Sequence, residues 1–204
     1  MRCRRLGLVE YQPTFDAMKH FTAERDFRTE DEIWLLQHPP VYTQGLTGCA
    51  EHVLDAGAIP VIQIDRGGQV TYHGPGQWVA YILYDLRRAN VNIRELVTFL
   101  ENAVVKLLGD WGLAAYGDPS ARGVYVDGYK IAALGLKVSR GRSYHGLSLN
   151  VDMDLVPFNG INPCGYEGLE VTSMAALLGD RCPDIDTIGE SLLAHLISTL
   201  PTSD

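Results

Sequence analysis

Long hydrophobic runs, paired cysteines, positive charge and repetitive tracts are all scarce in this 204-residue chain, and each shortage removes a class of function. A bilayer-spanning helix needs about 20 apolar residues; the longest clear run here, WVAYILY at 78–84, has seven. No membrane segment is expected. Arg2, Arg4 and Arg5 resemble the charged start of an export signal, but the LGLV that follows is too short and Glu10 closes it, so the expected compartment is the cytoplasm. The cysteines number four, at positions 3, 49, 164 and 182, with neither a CxxC pair nor a zinc-type Cys/His spacing. Reduced thiols fit this pattern better than a disulfide framework, and no metal or cofactor is expected. Lys and Arg total 17 against 25 Asp and Glu, a formal charge of −8, which speaks against a broad nucleic-acid surface. No repeat, low-complexity tract or Ser/Pro-rich linker marks a boundary, and 46% hydrophobic content suffices for one core. Residues 1–204 are therefore expected to form one domain.

What is present alternates between helix and strand signals. Pro13 at a first-turn position and the run PTFDAMKHFTAERDF predict a helix over 13–27, with Phe15, Met18, Phe21 and Thr22 on one side. EIWLLQ at 32–37 and PVIQID at 60–65 read as strands. Ile93, Leu96, Val97, Leu100, Val104, Leu107 and Leu108 recur at three- and four-residue spacing and predict a long amphipathic helix. Asp127-Gly128 between VYV and YKIAAL is a hairpin signal, and SYHGLSLNVDM at 143–153 supplies a further strand. Thr172 and Ser173 can cap a short helix through Leu178, and 187–199 suggests a terminal one. The expected fold class is α/β, a mixed sheet with helices packed against it.

Two segments carry the chemistry. RGGQVTYHGPGQ at 66–77 combines four glycines with Arg66, His73 and Gln77; the glycines let backbone approach a ligand and the side chains supply donors and acceptors around the opening. INPCGYEG at 161–168 holds Cys164 between Pro163 and Gly165, a thiol on a turn and a candidate nucleophile. A thiol attacks as thiolate and needs a cation or base beside it. Lys130, which enters the apolar run KIAALGL, is the candidate partner, because burial lowers a lysine's pKa and lets it exchange a proton near neutrality. Lys137, beside Ser139 and Arg140, reads as solvated. Each residue also has a plainer reading. Cys164 can be a small buried hydrophobe, Lys130 a strand-end charge reaching water, His73 a turn donor and His145 a core histidine. Cys49, in a glycine-containing loop, is the rival thiol.

Four segments taken in order, RGGQVTYHGPGQWVAY at 66–81, KIAALG at 130–135, HGLSLNV at 145–151 and INPCG at 161–165, resemble the lipoyl(octanoyl) transferase family of lipoate biosynthesis. The resemblance implies the fold of the biotin and lipoate protein ligases. It also implies transfer of an octanoyl group from octanoyl acyl carrier protein to a lysine of lipoyl domains, through an enzyme thioester and without ATP. The acceptors would be the lipoyl domains of 2-oxoacid dehydrogenase complexes and the H protein of glycine cleavage. Carried onto this chain, the nucleophile falls on Cys164 and its lysine on Lys130. One acyl-binding stretch falls on Arg66, Gly67, Gly68 and Gln69 and continues through Val70, Thr71, Tyr72 and His73. The others fall on Ala133, Leu134 and Gly135 and on Gly146, Leu147 and Ser148. Glycines admit the chain beside the backbone, and burying its methylenes at ~0.8 kcal/mol each favours a medium chain over acetyl.

Three alternatives stay open on the residues alone: an ATP-dependent lipoate or biotin ligase, a thiol hydrolase pairing Cys164 with His73 or His145, and a non-catalytic protein that sequesters acyl carriers. The chain contains no GxxxxGK[ST] or GRGRxG-like segment, which leans away from the first. Monomer is the default state. Acyl carriers and lipoyl domains are acidic, so docking on an acidic chain calls for a local basic rim, for which Arg2, Arg4, Arg5, Arg140 and Arg142 are the candidates.

Overall fold

A computed structural model describes residues 1–201 of the chain. Strand-forming residues build a seven-stranded mixed sheet in the order β1-β2-β6-β10-β9-β8-β7. Its strands are β1 (Arg2–Leu8), β2 (Glu32–Gln37), β6 (Gln77–Leu83), β7 (Ala115–Gly117), β8 (Val124–Val126), β9 (Tyr129–Ser139) and β10 (Arg142–Asn150). β1 and β2 run parallel and every other neighbouring pair is antiparallel. A second sheet, in the order β4-β3-β5, is made by β3 (Val41–Gln44), β4 (Val61–Gln63) and β5 (Val70–His73).

The central strands β2 and β6 are buried on both faces, so their apolar runs are continuous rather than alternating. Ile33, Leu35, Ala80 and Ile82 face helices α2 (Ile93–Asp110) and α4 (Ile185–Thr199), which contribute Leu96, Leu100, Ile188 and Leu192. Trp34, Leu36, Val79 and Tyr81 face the other way, toward Tyr11, Phe15 and Met18 of α1 (Tyr11–Glu24). A short α3 (Met174–Leu178) starts at Ser173, whose hydroxyl accepts from the Ala176 amide.

Local chemistry explains the boundaries. α2 opens on a capping box in which Asn92 accepts from the Arg94 and Glu95 amides while Glu95 accepts from the Asn92 amide. Asp127 and Gly128 both take positive φ, 51° and 89°, as the tight hairpin joining β8 to β9 requires. α1 begins at Tyr11, earlier than the sequence predicts, and stops at Glu24 because Arg25 turns extended. That turn buries the Arg25 guanidinium against Asp31, 2.5 Å away, and the Leu83 carbonyl, 2.8 Å away. The PVIQID strand shrinks to Val61–Gln63. β1 was masked by its arginines, β3 by flanking prolines and glycines. Within the glycine-rich loop, residues 70–73 form strand β5.

Candidate active site

The site starts from a run of small residues on the sheet face opposite α2 and α4. Gly146 of β10 stands in register with Tyr81 of β6 and Gly135 of β9; Ser148 stands with Val79 and Ala133. Ala133, Gly135, Gly146 and Ser148 fill little space, so the sheet carries a trough there. Side chains at the two glycines are excluded: a Cβ on Gly146 would strike the Ala80 carbonyl, and one on Gly135 would lie 2.8 Å from the Arg66 Cδ. Gln69, Val70, Thr71 and His73 cover the trough, and Tyr11 lines it as well. The cavity so formed measures about 50 Å³ and opens partly to solvent.

Cys164 sits at one end of this cleft on a 3₁₀ turn, Pro163–Gly165. Its own φ is +57°, followed by Gly165 at +76°. A left-handed non-glycine residue costs about 1–3 kcal/mol unless its surroundings fix it. Here the Gly165 amide donates to the Asn162 carbonyl at 2.9 Å and the Asn162 amide to the His52 carbonyl at 2.8 Å. Gly165 also packs against Gln69, leaving no room for a side chain.

Lys130 approaches the sulfur from β9. The residue is 3% exposed, held by its backbone amide to the Glu170 carbonyl and its carbonyl to the Thr172 amide. Its Nζ lies 3.2 Å from Cys164 Sγ and 3.2 Å from the Arg122 carbonyl, above the Tyr125 ring. Gly123 makes way for it, since a Cβ there would lie 2.9 Å from Lys130 Cε. Burial alone pulls the Lys130 pKa down, as the sequence reading supposes. The Cys164 sulfur and the Tyr125 hydroxyl outweigh burial, so the net direction is up and the group stays an ammonium. Lys130 is thus neither a solvated strand end nor a neutral amine, whereas Lys137 is half-buried farther along β9.

Arg66 is a second buried cation. It donates to the Thr43 carbonyl at 2.8 Å, the Thr43 hydroxyl at 3.0 Å and the Gly67 carbonyl at 2.9 Å, with no carboxylate partner among the described residues. Burial pulls its pKa down, and the Tyr11 and Cys164 side chains oppose that. Behind the cover, His73 Nδ1 donates to Gln77 Oε1 at 2.7 Å, and Gln77 donates to Asn150 Oδ1 at 2.9 Å. Burial, with the nearby His38, holds the His73 pKa at about 3. His145 lies 3.1 Å from Asp65 and has its pKa lowered, burial outweighing that carboxylate. Neither imidazole is hydrogen-bonded to Cys164 among the described residues, so the thiol has an ammonium partner and no histidine one.

The structure gathers Arg66, Gly68, Gln69, Val70, Thr71, His73, Ala133, Leu134, Gly135, Gly146, Leu147, Ser148 and Cys164 around one cleft. Two residues of the same stretches point elsewhere. Tyr72 packs beneath β5 against Tyr42 and Phe158, and Gly67 borders a neighbouring cleft with Leu136 and Lys137. Tyr11, Val79 and Tyr81 also line the site. Val79 and Tyr81 close the motif segment at 66–81, whereas Tyr11 lies in α1, where nothing but ordinary apolar patterning marks it in sequence. Cys49 is exposed on a loop, where it, Glu51 and His52 bring donor atoms within 4.8 Å of one another. The basic-rim expectation changes too. Arg142 is locked to Asp85 at 3.2 Å, Arg4 and Arg5 pair with Glu32 and Glu190, and Arg2, Arg4 and Arg5 lie on the edge strand farthest along the sheet from Lys130 on that side. Arg140 remains exposed.

The family model described as lipoyl protein ligase A/B catalytic domain matches residues 10–197. The chain is 58% identical over 201 residues to an octanoyltransferase of Azoarcus sp. (strain BH72), covering 97% of this chain and 87% of that protein. An octanoyltransferase of Neisseria gonorrhoeae is 52% identical over 199 residues, with 97% and 96% covered. Among solved structures, lipoate-protein ligase A bound with ATP superposes with a TM-score of 0.78 at 17% identity, covering 98% of this chain and 86% of that one. The biotin protein ligase of Aquifex aeolicus superposes at 0.60 and 13% identity, covering 98% and 70%. At those identities the two structures speak to the fold alone.

Proposed function

We propose, for a chain that belongs to the lipoyl protein ligase A/B catalytic-domain family, an acyl transfer carried by a thioester on Cys164. The protein is an acyltransferase that moves octanoyl groups in protein lipoylation. The donor in this reading is octanoyl acyl carrier protein. The acceptors are lysines of lipoyl domains, including those of 2-oxoacid dehydrogenase complexes and the glycine cleavage H protein. The observation that carries the reading is the Lys130 ammonium 3.2 Å from the Cys164 sulfur at the end of a trough of small residues.

The ammonium stabilises the Cys164 thiolate without needing a histidine. The thiolate attacks the carrier thioester, the bond from carbonyl carbon to carrier sulfur breaks, and the carrier leaves as a thiol after taking up a proton. The octanoyl chain then lies along Ala133, Gly135, Gly146 and Ser148 under the cover of residues 66–73. In the second half, a neutral acceptor amine attacks, the bond from carbonyl carbon to Cys164 sulfur breaks, and an amide forms. The amine's proton passes to the thiolate by way of the Lys130 side chain. One thioester replaces another, so no nucleotide is consumed. All site groups come from one chain, which suits a monomer acting as a single catalytic domain, and a reducing cytoplasm would keep its thiols free.

Steady-state assays separate this reading from its rivals. Octanoyl carrier plus a lipoyl domain should give octanoylated domain without ATP, and Cys164→Ala should abolish turnover. Product formed only from free octanoate and ATP would identify a ligase. Free octanoate released without an acceptor would identify a hydrolase.

A further inference from the structure

We propose that the length of acyl chain this enzyme accepts is set by a buried phenol–imidazole wall, Tyr11, Tyr81 and His38, that closes the trough at the end away from Cys164; the inference rests on the octanoyl-transfer reading of the same site. Cys164 shares a small cavity with Thr71, Ala133 and Ser148. Tyr81 stands two residues along β6 from Val79, opposite Gly146, and Tyr11 reaches the cleft from α1. From Ser148 to Gly146, which stands opposite Tyr81, is two residues of strand, ~7 Å at ~3.4 Å per residue, so the trough between the Cys164 end and the wall suits a medium acyl chain.

The wall is polar and internally bonded. His38 Nδ1 lies 2.7 Å from the Val9 carbonyl; a carbonyl only accepts, so Nδ1 carries the proton and Nε2 accepts from the Tyr81 hydroxyl, also at 2.7 Å. The Tyr11 side chain neighbours the Tyr81 hydroxyl. The Tyr11 ring is clamped by His38 at 4.9 Å and by His73 at 6.1 Å between ring centroids. His38, Tyr81 and Tyr11 are 0%, 3% and 4% exposed. Burial keeps His38 neutral, with a pKa of about 4, and raises both phenols, so the wall carries no charge. An apolar floor yields to one more methylene by repacking. A bonded wall resists, because a longer chain must displace the clamped Tyr11 ring and press on Tyr81, whose hydroxyl is bonded to His38 inside a buried site.

The test compares acylation of Cys164 by octanoyl and decanoyl acyl carrier proteins, read as the decanoyl-to-octanoyl ratio of kcat/KM, in wild type, Tyr11→Leu and Tyr81→Phe. Wild type should favour octanoyl by about tenfold or more, and Tyr11→Leu should shift the ratio toward decanoyl by about tenfold or more. Tyr81→Phe keeps the ring and cuts the hydrogen-bond chain, so it should shift the ratio the same way by less. Folding is checked by near-UV circular dichroism; if Tyr11→Leu does not fold, the Tyr81→Phe ratio decides. Folded variants that keep the wild-type ratio, or lose both substrates in parallel, would overturn the wall as the ruler. A wild type that accepts octanoyl from no carrier would instead overturn the transfer reading beneath it.

Discussion

At the scale of single residues the proposed reactive pair is Cys164 and Lys130, a thiol in a left-handed turn beside a buried ammonium. Removing the cation while keeping the bulk, in Lys130→Met, should slow acylation by about 10²-fold near pH 7, the usual range for one positioned proton-transfer group. Thiols without a nearby cation ionise near pH 8.5, so the variant's acylation rate should climb with pH and recover toward wild type by about pH 9. A defect equal at all pH values would make Lys130 a packing residue. The folded Lys130 pKa is raised above its ordinary 10.5, so its stabilising effect is complete below 10.5 and is lost only as pH rises through the higher folded value. Within the working range this lysine stays charged. The wall residues teach a contrasting lesson about legibility. Cys164 and Lys130 announce themselves by odd company, a thiol between proline and glycine and a lysine in an apolar run. Of the proposed wall, Tyr81 closes the motif segment at 66–81, but Tyr11 and His38 reach it only through the fold, and no spacing in the chain encodes that meeting.

At the scale of elements, α2 backs the sheet that carries the trough and owes its start to the Asn92–Glu95 box. Asn92→Ala should cost about 1 kcal/mol, a Tm decrease of ~2–4 °C for a chain of this size, with kcat unchanged; a fall in kcat would tie α2 to the site itself. The same helix was readable because seven apolar residues keep one face, and the β8–β9 hairpin because Asp127-Gly128 takes the two positive φ values its turn needs. β1 escaped because an edge strand exposed along most of its length need not be apolar. β5 escaped because Gly67, Gly68, Gly74 and Gly76 bracket it, and glycine signals turns whether or not a strand lies between. The sequence marks this cover as a candidate ligand wall, while its conformation, a strand of the small sheet, depends on pairing with β3 across 26 to 32 residues of sequence, from Gln44 with Val70 to Val41 with His73. The ion pairs of the arginine-rim candidates stay hidden for a related reason. Sequence gives the charges of Arg4, Arg5 and Arg142 but not the carboxylates that neutralise them.

At the scale of the whole molecule, folding places a neutral, buried histidine cluster against an apolar trough, and that has a measurable cost in acid. His38 and His73 have folded pKa values of about 4 and about 3 against an ordinary 6.5. A depressed folded value means stability is full above 6.5 and is lost as pH falls toward 4, on the order of 3 kcal/mol for His38. Thermal unfolding from pH 7 to pH 4 should therefore show Tm falling across that window, and His38→Gln should flatten the fall. A Tm that holds steady down to pH 4 would contradict the buried-neutral assignment. In the proposed reaction the chain holds one acyl group on one sulfur, and intact-mass measurement reads that state directly. Wild type and Cys164→Ser are mixed with octanoyl acyl carrier protein, with no ATP and no acceptor, and weighed before and after a lipoyl domain is added. An octanoyl adduct on wild type alone, discharged onto the lipoyl domain, is the expected result; an unmodified wild type that still octanoylates the domain would contradict the thioester on Cys164.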